Sequence, residues 1–100
     1  MPWGLKEDTV KKLKGVFLQF PEITEVRIFG SRALGNFKPG SDVDLALYGK
    51  SPLACATRVS ALLNQELALP YHFDVVDYAT VERPEFRDHI DRVSQSIYRR

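Results

Sequence analysis

Cysteine is nearly absent: Cys55 stands alone in one hundred residues, so no internal disulfide can brace the fold. No apolar run approaches the roughly 18 residues that cross a bilayer, and the start of the chain lacks the apolar core of a signal peptide. A cytoplasmic location is the default expectation, with no membrane partner. Excess charge is also missing, since 14 Lys and Arg stand against 13 Asp and Glu for a net +1. Proteins that grip a nucleic-acid backbone usually carry a strongly basic face, so direct nucleic-acid binding is not expected. His72 and His89 lie far apart, and neither makes a metal-ligand spacing. There is no internal repeat and no linker long enough to separate a second domain from the first. What remains, 44% hydrophobic and 27% charged residues, describes one small domain over residues 1–100 with one core.

Taken in order, Val10, Leu13, Val16, Phe17 and Phe20 recur at helical spacing, with Asp8 or Thr9 as the expected cap and Pro21 as the stop. Glu25 to Phe29 is short, rich in β-branched and aromatic residues, and reads as a strand ending at Gly30. Gly30-Ser31 opens a short helical turn, and Lys38-Pro39-Gly40 is turn chemistry before a second strand, Asp42 to Leu47. Ser51, with Pro52 behind it, is the expected cap of a helix reaching about Leu67 that buries Cys55, Val59, Leu62 and Leu63. Phe73 to Val76 is a third strand. Pro84 begins a last helix with Phe86, Ile90, Val93 and Ile97 as its apolar stripe, and Tyr98-Arg99-Arg100 as its frayed end. This order predicts an α/β fold, a small mixed sheet flanked by helices.

The chemistry gathers in V-R-I-F-G-S-R-A-L-G-N-F-K-P-G-S-D-V-D-L-A-L, residues 26–47. Alternation along the second strand sends Val43, Leu45 and Leu47 to one face and puts Asp42 and Asp44 together on the other. Paired carboxylates repel and desolvate poorly, and binding a divalent cation is a reason to pair them. Mg2+ favours such hard oxygen ligands, and two-metal phosphoryl transfer calls for a third carboxylate from a neighbouring strand. Asp74 and Asp77 are the candidates, and their opposite parity means only one can join. Asp74 leaves Phe73 and Val75 for the apolar face and lies early in its strand, as Asp42 and Asp44 do, so Asp74 is preferred and Asp77 is assigned a turn or cap. Gly30 permits a sharp turn and close approach of a ligand, and Ser31 adds a hydroxyl where helix-start amides attract phosphate. Arg32 either touches phosphate or acceptor, or is a solvated surface arginine.

Gly30-Ser31, ten residues, then Asp42-Val43-Asp44, with a later apolar-Asp-apolar strand, resembles the signature of the nucleotidyltransferase superfamily that includes DNA polymerase beta. The run G-S-R-A-L-G…S-D-V-D-L and the small size resemble its minimal nucleotidyltransferase (MNT) branch. Leu34 stands where that family often has a basic residue, which leaves Arg32 as the nearer cation. The resemblance implies Mg-dependent transfer of a nucleoside monophosphate, AMP from ATP, to an acceptor hydroxyl. Asp42 and Asp44 would bridge two Mg2+ ions, Asp74 would hold the ion beside the attacking oxygen, and Gly30 and Ser31 would bind the triphosphate. Members of this branch are commonly paired with a HEPN ribonuclease toxin, which implies an antitoxin that adenylylates a tyrosine of that partner. The alternatives are a non-catalytic antitoxin that masks its partner, and a nucleotidyltransferase acting on a small molecule or an RNA end.

Overall fold

Four strands of alternating apolar character make one mixed sheet in the computed structural model, which describes residues 2–50 and 53–100. They are β1 (Ile23–Phe29), β2 (Val43–Gly49), β3 (Phe73–Asp77) and β4 (Gln95–Arg99), in the order β3-β2-β1-β4. β1 runs antiparallel to β2 and β4, whereas β2 and β3 are parallel. A parallel pair needs a crossover, which helix α3 (Leu53–Ala61) supplies.

Alternation divides the sheet between two layers. Val26, Ile28, Val43, Leu45 and Phe73 pack in one layer with Leu13, Val16 and Phe17 of α1 (Glu7–Leu18) and Val59 of α3. Phe29 and Ala46 face the other way, beneath Ile90 of α4 (Pro84–Val93). The expected cap of α1 is corrected. The helix opens at Glu7 with Lys6 at the cap and no side-chain cap bond, and Thr9 is buried within it. Glu7 and Asp8 in the first turn favour that end through the helix dipole instead. The expected Ser51 and Pro52 start lies outside the described residues. The regular helix reaches Ala61 rather than Leu67, and the chain then widens into a π-helical turn over Leu62–Glu66. Leu63 is buried on that turn, while Leu62 is half-buried.

The largest difference from expectation is β4. The helical stripe does not run on to Ile97, nor is Tyr98-Arg99-Arg100 a frayed helix end. α4 stops at Val93, Ser94 turns extended, and Ile97 and Tyr98 are buried as β4 pairs with β1. Arg27 of β1 holds the break: its Nε donates to Ser94 Oγ at 2.7 Å, and its Nη2 donates to the Ser94 carbonyl at 2.8 Å. The seam is closed by Glu25, whose Oε2 accepts from Arg27 Nη1 at 2.9 Å and Arg99 Nη2 at 2.8 Å. Burial pushes the Glu25 carboxyl up, but hydrogen bonds from Arg99, Ser96 and Arg27 outweigh it and hold the group below its ordinary 4.5. A depressed folded value means the contribution is present above the unfolded value and disappears as pH falls through the folded one. Glu25→Gln is therefore expected to cost about 1 kcal/mol at pH 7, a cost that shrinks as pH falls below the ordinary 4.5, as read by urea unfolding across that range.

Among the described residues no helix is long and apolar enough to cross a membrane.

Candidate functional site

The parallel register sets Asp44 directly beside Asp74, on strands about 4.8 Å apart. Both lie near the starts of their strands and on the α4 side of the sheet, opposite Phe73 and Val75, which pack on the α3 side. Asp42 immediately precedes β2. It is exposed, with Oδ1 3.4 Å from His72 Nδ1. The consequence is electrostatic crowding at Asp44. Burial, then the charges of Asp74 and Asp42, push its carboxyl from the ordinary 3.8 up to about 6, against smaller opposing pulls from Arg32 and His72. Among the described residues no three His, Cys, Asp or Glu side chains are drawn together as a ready-made cation cage. The arrangement is a neighbouring carboxylate pair with a third carboxylate at its edge.

Asp77 is placed apart from these. It is 2% exposed, belongs to the α3 side of β3, and caps the turn that follows: its Oδ1 accepts from Ala79 N–H at 3.1 Å.

Gly30 connects β1 to the four-residue helix α2 (Ser31–Leu34) and sits at φ 73, ψ −154, a backbone region open essentially to glycine alone. A Cβ there would run into Asp44 Oδ2. The turn and the carboxylate thus occupy adjoining space, and Ser31 follows at once, half-buried.

Arg32 is not a solvated surface arginine. It is 2% exposed, with Nη1 donating to the Trp3 carbonyl at 2.9 Å and Nη2 donating to the Ser41 carbonyl at 2.9 Å. Its guanidinium lies over the rings of Phe37 and Tyr71, about 5 Å from each centroid. The group is engaged by four segments of the chain, and through Ser41 it anchors the residue directly ahead of Asp42. Leu34, two positions on, is exposed.

Asn64 was not singled out by sequence reasoning. Its side-chain amide accepts from Phe73 N–H at 2.8 Å and donates to Phe73 C=O at 2.9 Å, which imitates a neighbouring strand at the outer edge of β3. The π turn carries Asn64, and its effect falls on the residue before Asp74. Leaving those two backbone groups unpaired by Asn64→Ala is expected to cost about 2 kcal/mol in urea unfolding. The Phe73 and Asp74 amides should then exchange faster than those of β1. An asparagine in an otherwise apolar helical stretch is a faint signal for such a role.

Comparison with known proteins adds an independent line. Residues 11–100 match the family described as Polymerase beta, Nucleotidyltransferase. The chain is 32% identical over 91 residues to the probable protein adenylyltransferase MntA of Haemophilus influenzae, a match covering 89% of this chain and 78% of that protein. It superposes on a toxin-antitoxin crystallised with AMP-PNP with TM-score 0.73 at 19% identity, covering 96% of this chain and 75% of the other. A mutant form of the toxin-antitoxin MntA-HpeT gives TM-score 0.70 at 16% identity, again over 96% and 75% of the two chains. At those identities the superpositions speak for the fold. Sequence pattern, relative and fold agree: the chain belongs to the polymerase beta nucleotidyltransferase family and is a minimal nucleotidyltransferase.

Proposed function

We propose that the chain transfers AMP from ATP to a hydroxyl of a partner protein, with Asp42, Asp44 and Asp74 as the Mg2+-binding carboxylates. We further propose that the acceptor is a tyrosine on a HEPN-type ribonuclease toxin, so that the chain acts as its antitoxin. The observation that carries this reading is Asp44. It is a half-buried carboxylate crowded by two more of the same sign, with its carboxyl raised to about 6. Such an arrangement disfavours the metal-free state and is relieved by a divalent cation, for which carboxylate oxygens are the suited ligands. The protein-modifying activity named for the H. influenzae relative and the toxin-antitoxin neighbours support the choice of acceptor.

Each residue has a role in the transfer. The backbone at Gly30, free of a side chain, lets the triphosphate come close to the carboxylate pair, and Ser31 donates its hydroxyl to a phosphate oxygen. Asp74, the exposed member of the strand pair, accepts the proton of the attacking hydroxyl as its oxygen bonds to the α-phosphorus and pyrophosphate departs. Arg32 keeps Ser41, and with it Asp42, in register. What Mg2+ supplies when bound, two ions in this reading, is charge neutralisation on the transferring phosphoryl group and the leaving pyrophosphate.

The test is label transfer. The protein, Mg2+ and ATP labelled at the α-phosphate would be incubated with the HEPN-type partner and with its tyrosine-to-phenylalanine variants. Label on the partner, lost in Asp42→Asn, Asp44→Asn and Asp74→Asn and in one tyrosine variant, is the expected result. Neutralisation of the partner without label, surviving all three aspartate substitutions, would replace catalysis by simple masking.

A further inference from the structure

A second site lies on the far side of β3 from Asp74. The groove between α3 and the segment leading into α4 has a volume of about 570 Å³, within the range of pockets that hold small molecules or side chains. Its walls are apolar where Ala56, Ala61, Val81 and Phe86 meet the β3 edge. Asp77 contributes to the lining. Its Oδ1 is used by the Ala79 N–H, but its Oδ2 is buried and has no hydrogen-bond partner among the described residues. Buried carboxylate oxygens without a donor are rare in native proteins, because leaving one unpaired costs more than the net worth of the bond itself. The strand edge is open as well. Val43 N–H donates to the His72 carbonyl, so Phe73 and Val75 turn their backbone groups away from β2. Asn64 takes those of Phe73, which leaves those of Val75 facing the groove.

We propose that this groove binds an alkyl guanidinium or ammonium group, its stem against the apolar walls and its donors on Asp77 Oδ2. Either a free amine or an Arg or Lys side chain carries that chemistry. The site is separate from the carboxylate pair and stands whether or not the AMP-transfer reading does. The chain's own rival for the position is Arg83, which also lines the groove and is exposed.

Titration of the whole protein, followed by backbone amide resonances, tests this with agmatine, acetyl-Val-Arg-Val-amide, and the neutral twin carrying citrulline. The expected result is saturable shifts at Val75, Asp77 and Thr80 with both cationic probes, at least tenfold weaker binding by the citrulline peptide, and at least tenfold weaker binding in Asp77→Asn. Asparagine keeps the Oδ1 acceptor that caps the turn. Ala61→Phe, which fills the groove and leaves the carboxylate intact, is expected to abolish binding too. A peptide at least tenfold tighter than agmatine identifies a protein segment lying along the β3 edge as the source, and equal affinities identify a small amine. The proposal is overturned by shifts that do not saturate, by shifts centred on Asp42 and Asp44, by undiminished binding in Asp77→Asn, or by a thermodynamic coupling between Asp77 and Arg83 showing that the chain already fills its own site.

Discussion

Asp44→Asn is expected to abolish AMP transfer and, in the same protein, to raise the melting temperature measured without metal. The loss of activity should be on the order of 10³-fold, the scale seen when one group that meets transition-state charge is removed. The gain in stability follows from the direction of the Asp44 shift. Its folded value of about 6 lies above the ordinary 3.8. Between those values the folded state holds a proton that the unfolded state has released, so stability falls as pH rises through that interval and stays lower above it. At pH 7 the uncharged amide removes the penalty, worth about 1–2 kcal/mol once partial solvent exposure is allowed for. On a domain of this size that is roughly 5 °C or more. The pH dependence between about 4 and 6 should flatten in the variant. Added Mg2+ should raise the melting temperature of the unmodified protein and leave that of the variant nearly unchanged. Calorimetry with and without chelator, across pH, reads all three. An aspartate serving only to hold the fold would show stability and activity falling together.

The second large effect is expected at Gly30. Gly30→Ala must hold a side chain at φ 73, ψ −154 and fit its Cβ where Asp44 Oδ2 lies. The backbone conformation alone costs about 1–3 kcal/mol, and the displaced carboxylate should reduce transfer by roughly 100-fold, on the order of the effect of misplacing a reacting group by an ångström. Combining it with Asp44→Ala separates the two contributions, because alanine removes the colliding carboxylate while its own Cβ stays clear of the turn. The double variant should be more stable than the sum of the single changes, a coupling that distant sites do not show, while remaining inactive. Additive stabilities in urea unfolding would mean that the two positions do not compete for the same space.

The elements that alternate or break sharply are legible in the sequence. Asp42-Val43-Asp44-Leu45 can bury Val43 and Leu45 only by turning its carboxylates to the other layer, and the same parity separates Asp74 from Asp77. β4 is not legible, because Phe86, Ile90, Val93 and Ile97 keep helical spacing straight through the break at Ser94. What ends the helix there is Arg27, 67 positions away. The burial of Arg32 is hidden for a related reason. A four-residue helix gives no hint of it, since it depends on Trp3, Phe37, Ser41 and Tyr71 arriving from separate regions of the chain. Asn64 depends on the π turn, whose widening has no periodic signature.

The guanidinium of Arg32 makes the leading residues mechanically continuous with the loop ahead of Asp42, since one rigid plane grips the Trp3 and Ser41 carbonyls at once. Trimming through Gly4, which removes the Trp3 carbonyl that Arg32 holds, is therefore expected to loosen the loop ahead of Asp42 although it touches none of the aspartates. Preparations that differ only at their leading end are expected to differ in AMP-transfer rate, as label transfer measured side by side would show.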